Sequence, residues 1–204
     1  MKHYFHPMSR SVVTDWMLKE LELEHEQILV DLNSEENRTP AFLTINPMGK
    51  LPVLEDNGQI VTEVAAICTY LADKYIEKGL APVFGSPKRA AYYRLLFLAG
   101  NTVEPALSLM ASNIEYPDTK SVGWGDINRV SATLESVVPN TGWLLGKEFT
   151  AADVVMGGLL DSMLTFHKLT LPSNVIAYVD RLRNRPAYIE SNDIMIRIRA
   201  EKAD

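Results

Sequence analysis

The sequence predicts two domains of different class, an α/β domain of about eighty residues followed by an all-α helical domain. In the first part of the chain, short apolar runs alternate with segments whose apolar residues have helical spacing. From Lys88 onward only helical periodicity is present. Between the two parts, glycine and proline interrupt the pattern at 79–82 and 85–87. We therefore predict a first domain over 1–78, a linker over 79–86 and a helical domain over 87–204.

Strands and helices of the first domain are predicted in the order βαβαββα. The short apolar runs give the strands, three-to-four-residue spacing gives the helices, and Asp56-Asn57-Gly58 is a strong signal for a tight hairpin turn. The predicted elements are, in turn, a strand at 3–5, a helix at 12–21, a strand at 25–30, a helix at 40–45, hairpin strands at 52–54 and 60–61, and a helix at 63–75. This is the order of a thioredoxin-like fold.

Composition narrows the range of partners. The net charge of −6 and a pI near 5.3 give no electrostatic reason to expect nucleic acid or an anionic membrane as a partner. Cys68 is the only cysteine, so disulfides and cysteine-rich zinc sites are excluded, and no metal is expected. Because the amino terminus lacks a signal-peptide pattern and no apolar run approaches eighteen residues, we expect a soluble cytoplasmic protein.

Two stretches carry a family resemblance that covers nearly the whole chain. The sequence NPMGKLPVL at 46–54, followed by Thr62-Glu63 and AICTYLAD at 66–73, resembles the glutathione-binding half of a glutathione transferase of bacterial type. In the second half, FTAAD at 149–153 is similar to the family's buried capping box, in which Thr150 caps a helix and Asp153 bonds back to the cap amide. The two motifs fall in different domains, in the order that the family predicts.

The resemblance implies a glutathione site built on main-chain groups. Pro52 would follow a cis bond, so that the N–H and C=O of Leu51 bind the cysteinyl backbone of glutathione like an added edge strand. Glu63 would bind the ligand's ammonium group, and the start of the next helix would bind its γ-glutamyl carboxylate. Many members have a serine after this glutamate; here the residue is Val64, whose amide remains a donor. Lys50 is the candidate for the remaining carboxylate, and Arg38 is a looser alternative.

The group that binds the glutathione sulfur is expected after the first strand. Ser9 is the first choice for a serine-type site, with Arg10 and the helix start adding positive potential at the thiolate. Ser11 is an alternative, although a serine at this place is commonly a helix N-cap. Tyr4 is a second alternative, because it matches the tyrosine of other classes within the family.

The resemblance further implies a transferase that adds the glutathione thiolate to a hydrophobic electrophilic small molecule, as in detoxification, with peroxidase or isomerase side activity. Candidates for the electrophile pocket are two methionines and two aromatic residues, Met8, Met110, Tyr116 and Trp124. The family is usually homodimeric, with glutathione as the co-substrate. Since Val64 removes one expected hydroxyl, the alternative is a non-catalytic module that kept the fold for binding or protein interaction.

Overall fold

Two compact units make up the chain in the computed structural model, which describes the backbone of residues 1–201 and side chains as far as Asp193. The first unit comprises Met1–Tyr75 together with the chain from Arg185 onward, and the second comprises Ile76–Asn184. The predicted linker at 79–86 stays a prediction. By its contacts the last helix groups with the first unit, whereas the sequence pattern had placed it with the other helices.

The first unit contains a four-stranded mixed sheet in the order β2-β1-β3-β4. β1 is parallel to β2 and antiparallel to β3, and β3 is antiparallel to β4. The elements are β1 (Lys2–Phe5), α1 (Ser11–Glu20), β2 (Glu26–Leu29), α2 (Pro40–Ile45), β3 (Val53–Asp56), β4 (Gln59–Thr62) and α3 (Val64–Lys74), with a 3₁₀ turn at Glu36–Arg38. The predicted thioredoxin-like order βαβαββα is confirmed.

Side chains alternate across the sheet, so neighbouring residues of β1 enter different layers of the core. Tyr4 belongs to a buried cluster with Phe42, Leu51 and Val53. Its neighbour His3, on the opposite face, is fully buried and bonds to Thr14 of α1.

The tight turn between β3 and β4 has the geometry that the sequence predicted. Asn57 and Gly58 both have positive φ, 50° and 77°, as a type I′ hairpin turn requires. Next to the turn, the buried Asp56 accepts a hydrogen bond from Tyr70 at 2.7 Å and forms an ion pair with Lys74. These two contacts attach α3 to the hairpin.

The last helix, α9 (Pro186–Glu201), packs on α1. The rings of Trp16 and Tyr188 meet edge to face at 5.1 Å, and Arg185 binds both carboxylate oxygens of Glu20 at 2.6 Å. A paired arginine and carboxylate with two parallel bonds is among the stronger polar contacts of proteins. Together the two contacts explain why this helix groups with the first unit.

The second unit is helical, as predicted. It contains α4 (Lys88–Leu98), α5 (Glu104–Ala111), α6 (Ile127–Val137), α7 (Ala151–Phe166) and α8 (Ser173–Arg183), with a 3₁₀ turn at Ile76–Lys78 and a π-helical segment at Ala99–Val103. Residues 112–126 connect α5 to α6. Among the described residues, no helix has both the length and the apolar composition that a membrane crossing requires.

The central helix α7 begins with the predicted capping box. Asp153 is fully buried, and its carboxylate accepts hydrogen bonds from the main-chain N–H of Thr150 at 2.9 Å and of Leu144 at 2.8 Å, and from the Tyr178 hydroxyl at 2.9 Å. Burial raises the pKa of Asp153, and these donors oppose that rise. The cap therefore joins α7, the segment before it and α8.

Candidate active site

Three segments lie side by side at one end of the sheet in the first unit. Tyr4 pairs with Val53, and Val53 pairs with Thr62. Because β3 runs antiparallel to both neighbours, the loop after β1, the residues before β3 and the start of α3 share this end. The register thus brings together the three places where the sequence predicted site residues.

The chain enters this end through a turn formed by residues 46–50. Gly49 has φ +60°, and a Cβ there would lie 2.8 Å from the carbonyl oxygen of Asn37, so the position requires glycine. Asn46 is buried; its side chain accepts the N–H of Met48 at 3.1 Å and donates to the carbonyl of Lys50 at 2.8 Å. Asn37 donates to the carbonyl of Gly49 at 2.7 Å. The two asparagines hold the backbone that leads into Leu51.

Leu51 presents main-chain groups at the predicted place. The Leu51–Pro52 peptide bond is cis, as the resemblance implies. The Leu51 side chain is buried in the core cluster of Tyr4 and Phe42. Among the described residues, the N–H and C=O of Leu51 have no hydrogen-bond partner. Leu51 therefore has a fixed side chain and a donor and an acceptor open to a ligand.

Glu63 has an unusual backbone conformation at the start of α3. Its φ is +70° and its ψ is 128°, in a region that L-residues other than glycine rarely adopt. The side chain is exposed and does not cap the helix. Within the described chain, the first amides of α3, from Val64 to Ala66, have no acceptor. The helix start is therefore an uncapped cluster of donors beside a carboxylate.

The loop after β1 is organised by two serines. The Ser9 hydroxyl lies 2.7 Å from the Ser11 hydroxyl, and both lie within 3.0 Å of the carbonyl oxygen of His6. The Ser9 oxygen also accepts the N–H of Ser11 at 3.1 Å, and the Ser11 oxygen accepts the N–H of His6 at 2.9 Å. Ser11 is fully buried, whereas Ser9 is half-buried. Only Ser9 has surface available to a ligand.

The predicted N-cap role of Ser11 is wrong. α1 begins at Ser11 itself, and the N-cap position is Arg10, whose side chain makes no capping bond. The Ser11 hydroxyl points back into the loop, where the N–H and C=O of His6 satisfy it. Ser9 instead accepts the first amide of the helix through its side chain.

Tyr4 faces the core rather than the loop. Its hydroxyl donates to Glu55 at 3.3 Å, and its ring packs edge to face with Phe42 at 6.1 Å. Burial first, and then the neighbouring Glu55 carboxylate, raise the pKa of Tyr4. A raised pKa makes the phenol a weaker hydrogen-bond donor toward a thiolate.

The positive candidates lie near these segments. Lys50 is exposed directly before Leu51. Arg38 runs beside the turn, with its Cδ 3.3 Å from the position that a Cβ on Gly49 would take. Arg10 is half-buried at the start of α1. The lone thiol, Cys68, is buried within α3, and burial raises its pKa well above the usual range, so it is not a nucleophile.

The four electrophile-pocket candidates are divided between the units. Met8, in the first unit, is 51% exposed. In the second unit, the rings of Tyr116 and Trp124 meet edge to face at 6.0 Å, and the indole N–H of Trp124 is buried without a partner among the described residues. Met110 is half-buried on α5.

Sequence reasoning missed the residues that shape the turn before Leu51. Asn46 stood inside the quoted motif but received no role, and Asn37 received none either. The only sequence signals are the Asn46-Pro47 pair, which is typical of a turn, and Gly49 three residues later. The partner of Asn37 lies twelve positions away and is visible only in the fold.

Comparison with known proteins relates the first part of the chain to one family. The family model described as the N-terminal domain of glutathione S-transferase matches residues 1–73 of the chain. Its match covers the sheet, the two serines, Leu51, Pro52 and Glu63. This part of the chain therefore resembles the N-terminal domain of glutathione transferases. Glutathione S-transferase hmp2 of Hypomyces subiculosus is 35% identical over 136 residues, which cover 64% of this chain and 62% of the relative. The chain thus aligns with less than two thirds of that relative's length.

Solved structures extend the likeness over both units. A glutathione transferase from Methylococcus capsulatus strain Bath superposes with a TM-score of 0.76 and 29% identity, over 95% of this chain and 97% of that one. A glutathione transferase from Phanerochaete chrysosporium, solved with oxidised glutathione, gives a TM-score of 0.76 over 98% and 96% of the two chains; at 24% identity it supports the fold alone. The bacterial type and the serine-type site stay predictions.

Proposed function

We propose that this chain is a glutathione transferase whose glutathione site is the end of the sheet formed by Ser9, Leu51 and Glu63. The family-model match over residues 1–73 and the fold support glutathione binding and a transferase-type function. The observation that carries the site is the backbone of Glu63, with φ +70° on a residue that is not glycine. Such a conformation costs about 1–3 kcal/mol and is typical of functional positions.

The ligand's γ-glutamyl end has complementary groups at the start of α3. The exposed carboxylate of Glu63 pairs with the ammonium group, and the open amides from Val64 to Ala66 receive the carboxylate. Val64 supplies its main-chain N–H but no hydroxyl. If nothing replaces that bond, its loss weakens binding by about 1.5–3 kcal/mol.

The cysteinyl and glycyl residues of glutathione are placed along Leu51 and the turn at 46–50. The open N–H and C=O of Leu51 pair with the cysteinyl backbone, in the way an edge strand adds to a sheet. The ammonium of Lys50 and the guanidinium of Arg38 flank the turn and are the groups proposed for the glycyl carboxylate. This orientation directs the ligand's sulfur toward the loop after β1.

Ser9 is the residue we assign to the sulfur. The hydroxyls of Ser9 and Ser11 each have one proton to donate. When the Ser11 hydroxyl donates its proton to the Ser9 oxygen, the Ser9 hydroxyl can donate its own proton to a thiolate. The Ser9 oxygen then accepts from both the N–H and the hydroxyl of Ser11, which strengthens it as a donor. Lowering a thiol pKa by about two from about 8.5 requires roughly 2.7 kcal/mol. One charge-assisted bond, Arg10 and the helix start are sufficient for this.

The proposed reaction is attack of the thiolate on an electrophilic carbon. The thiol proton leaves to solvent, a carbon–sulfur bond forms, and the leaving group departs with its electron pair, or a conjugated acceptor takes up a proton. Met8, Met110, Tyr116 and Trp124 remain the candidate contacts for the apolar electrophile. A homodimer, a cytoplasmic location and a detoxification role stay predictions.

Titration with glutathione tests the proposal directly. Calorimetry gives the affinity, and the ultraviolet absorbance of the thiolate across pH gives the pKa of the bound thiol. Saturable binding with a pKa well below the free value supports the transferase and justifies a screen of electrophiles. Absence of binding at millimolar glutathione would favour the second candidate, a non-catalytic module, because Val64 lacks the hydroxyl of many members.

A further inference from the structure

A second polar cluster lies in the first unit, on the face of the sheet opposite Tyr4. It comprises His3 of β1, Asp15 of α1 and His25, directly before β2. One potential ligand atom from each residue lies within 4.8 Å of the other two. His3 is fully buried and Asp15 is 3% exposed. The proposed glutathione site uses none of the three.

The hydrogen bonds of His3 determine which nitrogen carries its proton. The Thr14 hydroxyl donates its only hydrogen to the carbonyl of Ser11 at 3.0 Å. Its oxygen, 2.8 Å from Nε2 of His3, must therefore accept from an Nε2–H. Nδ1 keeps its lone pair and is buried without a partner among the described residues. Burial lowers the pKa of His3 to about 3, so the ring stays neutral.

His25 is oriented in the same manner. Its Nδ1 lies 3.0 Å from the carbonyl oxygen of Leu23, which can only accept, so Nδ1 carries a hydrogen. Its other nitrogen, Nε2, lies 3.8 Å from Oδ1 of Asp15. A proton or a metal ion between Nε2 and this carboxylate oxygen makes the contact favourable, so the pair can hold a cation. Histidines that bind metals usually donate their other N–H to a carbonyl or a similar group, as both rings do here.

Asp15 lacks full compensation for its buried charge. Gln27 donates to its Oδ1 at 3.1 Å, and the ammonium of Lys19 stands 3.9 Å from Oδ2 while also binding Glu190 at 2.8 Å. Burial raises the pKa of Asp15, and Lys19, His25 and Gln27 oppose that rise without cancelling it. Ligands of tetrahedral zinc, at about 2.0–2.1 Å from the ion, lie roughly 3.3 Å apart. The 3.8 Å between Asp15 and His25 requires only a small side-chain adjustment.

We propose that His3, Asp15 and His25 bind a divalent transition-metal ion of the zinc type. Two imidazole nitrogens and one carboxylate oxygen form a donor set that suits Zn²⁺, with the fourth position left to water. The ion joins β1, α1 and the residue before β2, so its role is to stabilise the first unit. This proposal differs from the expectation, drawn from the sequence, that no metal is bound.

The test uses the full chain, treated with a chelator and then titrated with ZnCl₂ in the absence of glutathione. Calorimetry is expected to give one Zn²⁺ per chain, and Co²⁺ is expected to give the visible absorption bands of a tetrahedral site. The melting temperature should rise with Zn²⁺ concentration, because an ion that binds only the folded state stabilises it by mass action.

Variants assign the ligands. His25→Gln, at a half-buried position, is expected to weaken Zn²⁺ binding at least tenfold; Asp15→Asn should do the same if the chain remains folded by circular dichroism. The matched control is His167→Gln, because His167 is an exposed histidine outside the cluster. Zinc binding that survives in His25→Gln, that is lost in His167→Gln, or that is absent from the unmodified chain would overturn the proposal and leave the cluster as a purely structural network.

Discussion

The Ser9 and Ser11 hydroxyl oxygens lie 2.7 Å apart, and the carbonyl of His6 lies within 3.0 Å of both. The two hydroxyl protons are therefore shared among three oxygen atoms, those of Ser9, Ser11 and the His6 carbonyl. Ser11 is fully buried and holds the loop, whereas Ser9 is half-buried and can turn its proton outward. The two hydroxyls, two residues apart, thus differ in burial, and the proposed contact with the glutathione sulfur falls to Ser9.

Ser9→Ala is expected to lower turnover while changing glutathione affinity little. The lost bond is made to the thiolate and not to the peptide backbone. A charge-assisted hydrogen bond contributes about 1.5–3 kcal/mol, so the pKa of the bound thiol should rise by about 1 to 2. Ultraviolet titration of the complex measures this pKa. Tyr4→Phe is the control, and a loss of turnover there with normal turnover in Ser9→Ala would show that the assignment is reversed.

Ser11→Ala is expected to act mainly on stability. It leaves the N–H of His6 without its acceptor in a half-buried loop, at a cost of about 1 kcal/mol in the free energy of unfolding. Urea unfolding measures this loss. Because the Ser9 oxygen also loses one donor, the thiol pKa should rise less than in Ser9→Ala. A larger rise in the Ser11 variant would assign the sulfur contact to Ser11.

Two substitutions at Glu63 separate stability from binding. Glu63→Gly removes the positive-φ penalty and should raise the free energy of unfolding by about 1 kcal/mol, since glycine's own entropic cost offsets part of the gain. Glu63→Gln retains the positive-φ penalty, so its free energy of unfolding should stay within about 0.5 kcal/mol of that of the unmodified chain. Both remove the carboxylate, so calorimetry should show glutathione affinity reduced roughly 10- to 150-fold. Unchanged affinity in both variants would remove Glu63 from the site.

The sequence predicted what depends on neighbours along the chain. Periodicity gave the order of elements, Asn57-Gly58 gave the hairpin, and Leu51, Pro52 and Glu63 fall within thirteen positions of one motif. Contacts between distant segments were not predictable, because no local pattern records them. Asn37 reaches Gly49 only through the fold, and His3 meets His25 only because β1 and β2 pair. The last helix joined the first unit for the same reason.

The Asp56–Lys74 pair predicts a pH dependence of stability. Hydrogen bonds from Lys74 and then Tyr70 lower the pKa of Asp56. The contribution of Asp56 to stability is therefore present above the unfolded pKa of about 3.9 and is lost as pH falls through the folded pKa. The bond to Asp56 raises the pKa of Lys74, so that contribution is present below about 10.4 and is lost as pH rises through the folded value. The free energies of unfolding of the unmodified chain and of Asp56→Asn, measured with a denaturant, should differ most between roughly pH 4 and 10. A constant difference down to about pH 2 would contradict this account.

Asn46→Asp tests whether the turn before Leu51 positions the ligand. The variant keeps the acceptor for the N–H of Met48 but loses the donor to the carbonyl of Lys50, and it places a charge in a buried position. Free energy of unfolding should fall by about 1–3 kcal/mol. Because the displaced backbone carries the Leu51 groups, KM for glutathione should rise while the pKa of the bound thiol stays unchanged, since Ser9 is untouched. Asn33→Asp, at an exposed position, is the matched control and should alter neither the free energy of unfolding nor KM for glutathione. A normal KM in a destabilised Asn46→Asp would assign Asn46 to the fold alone.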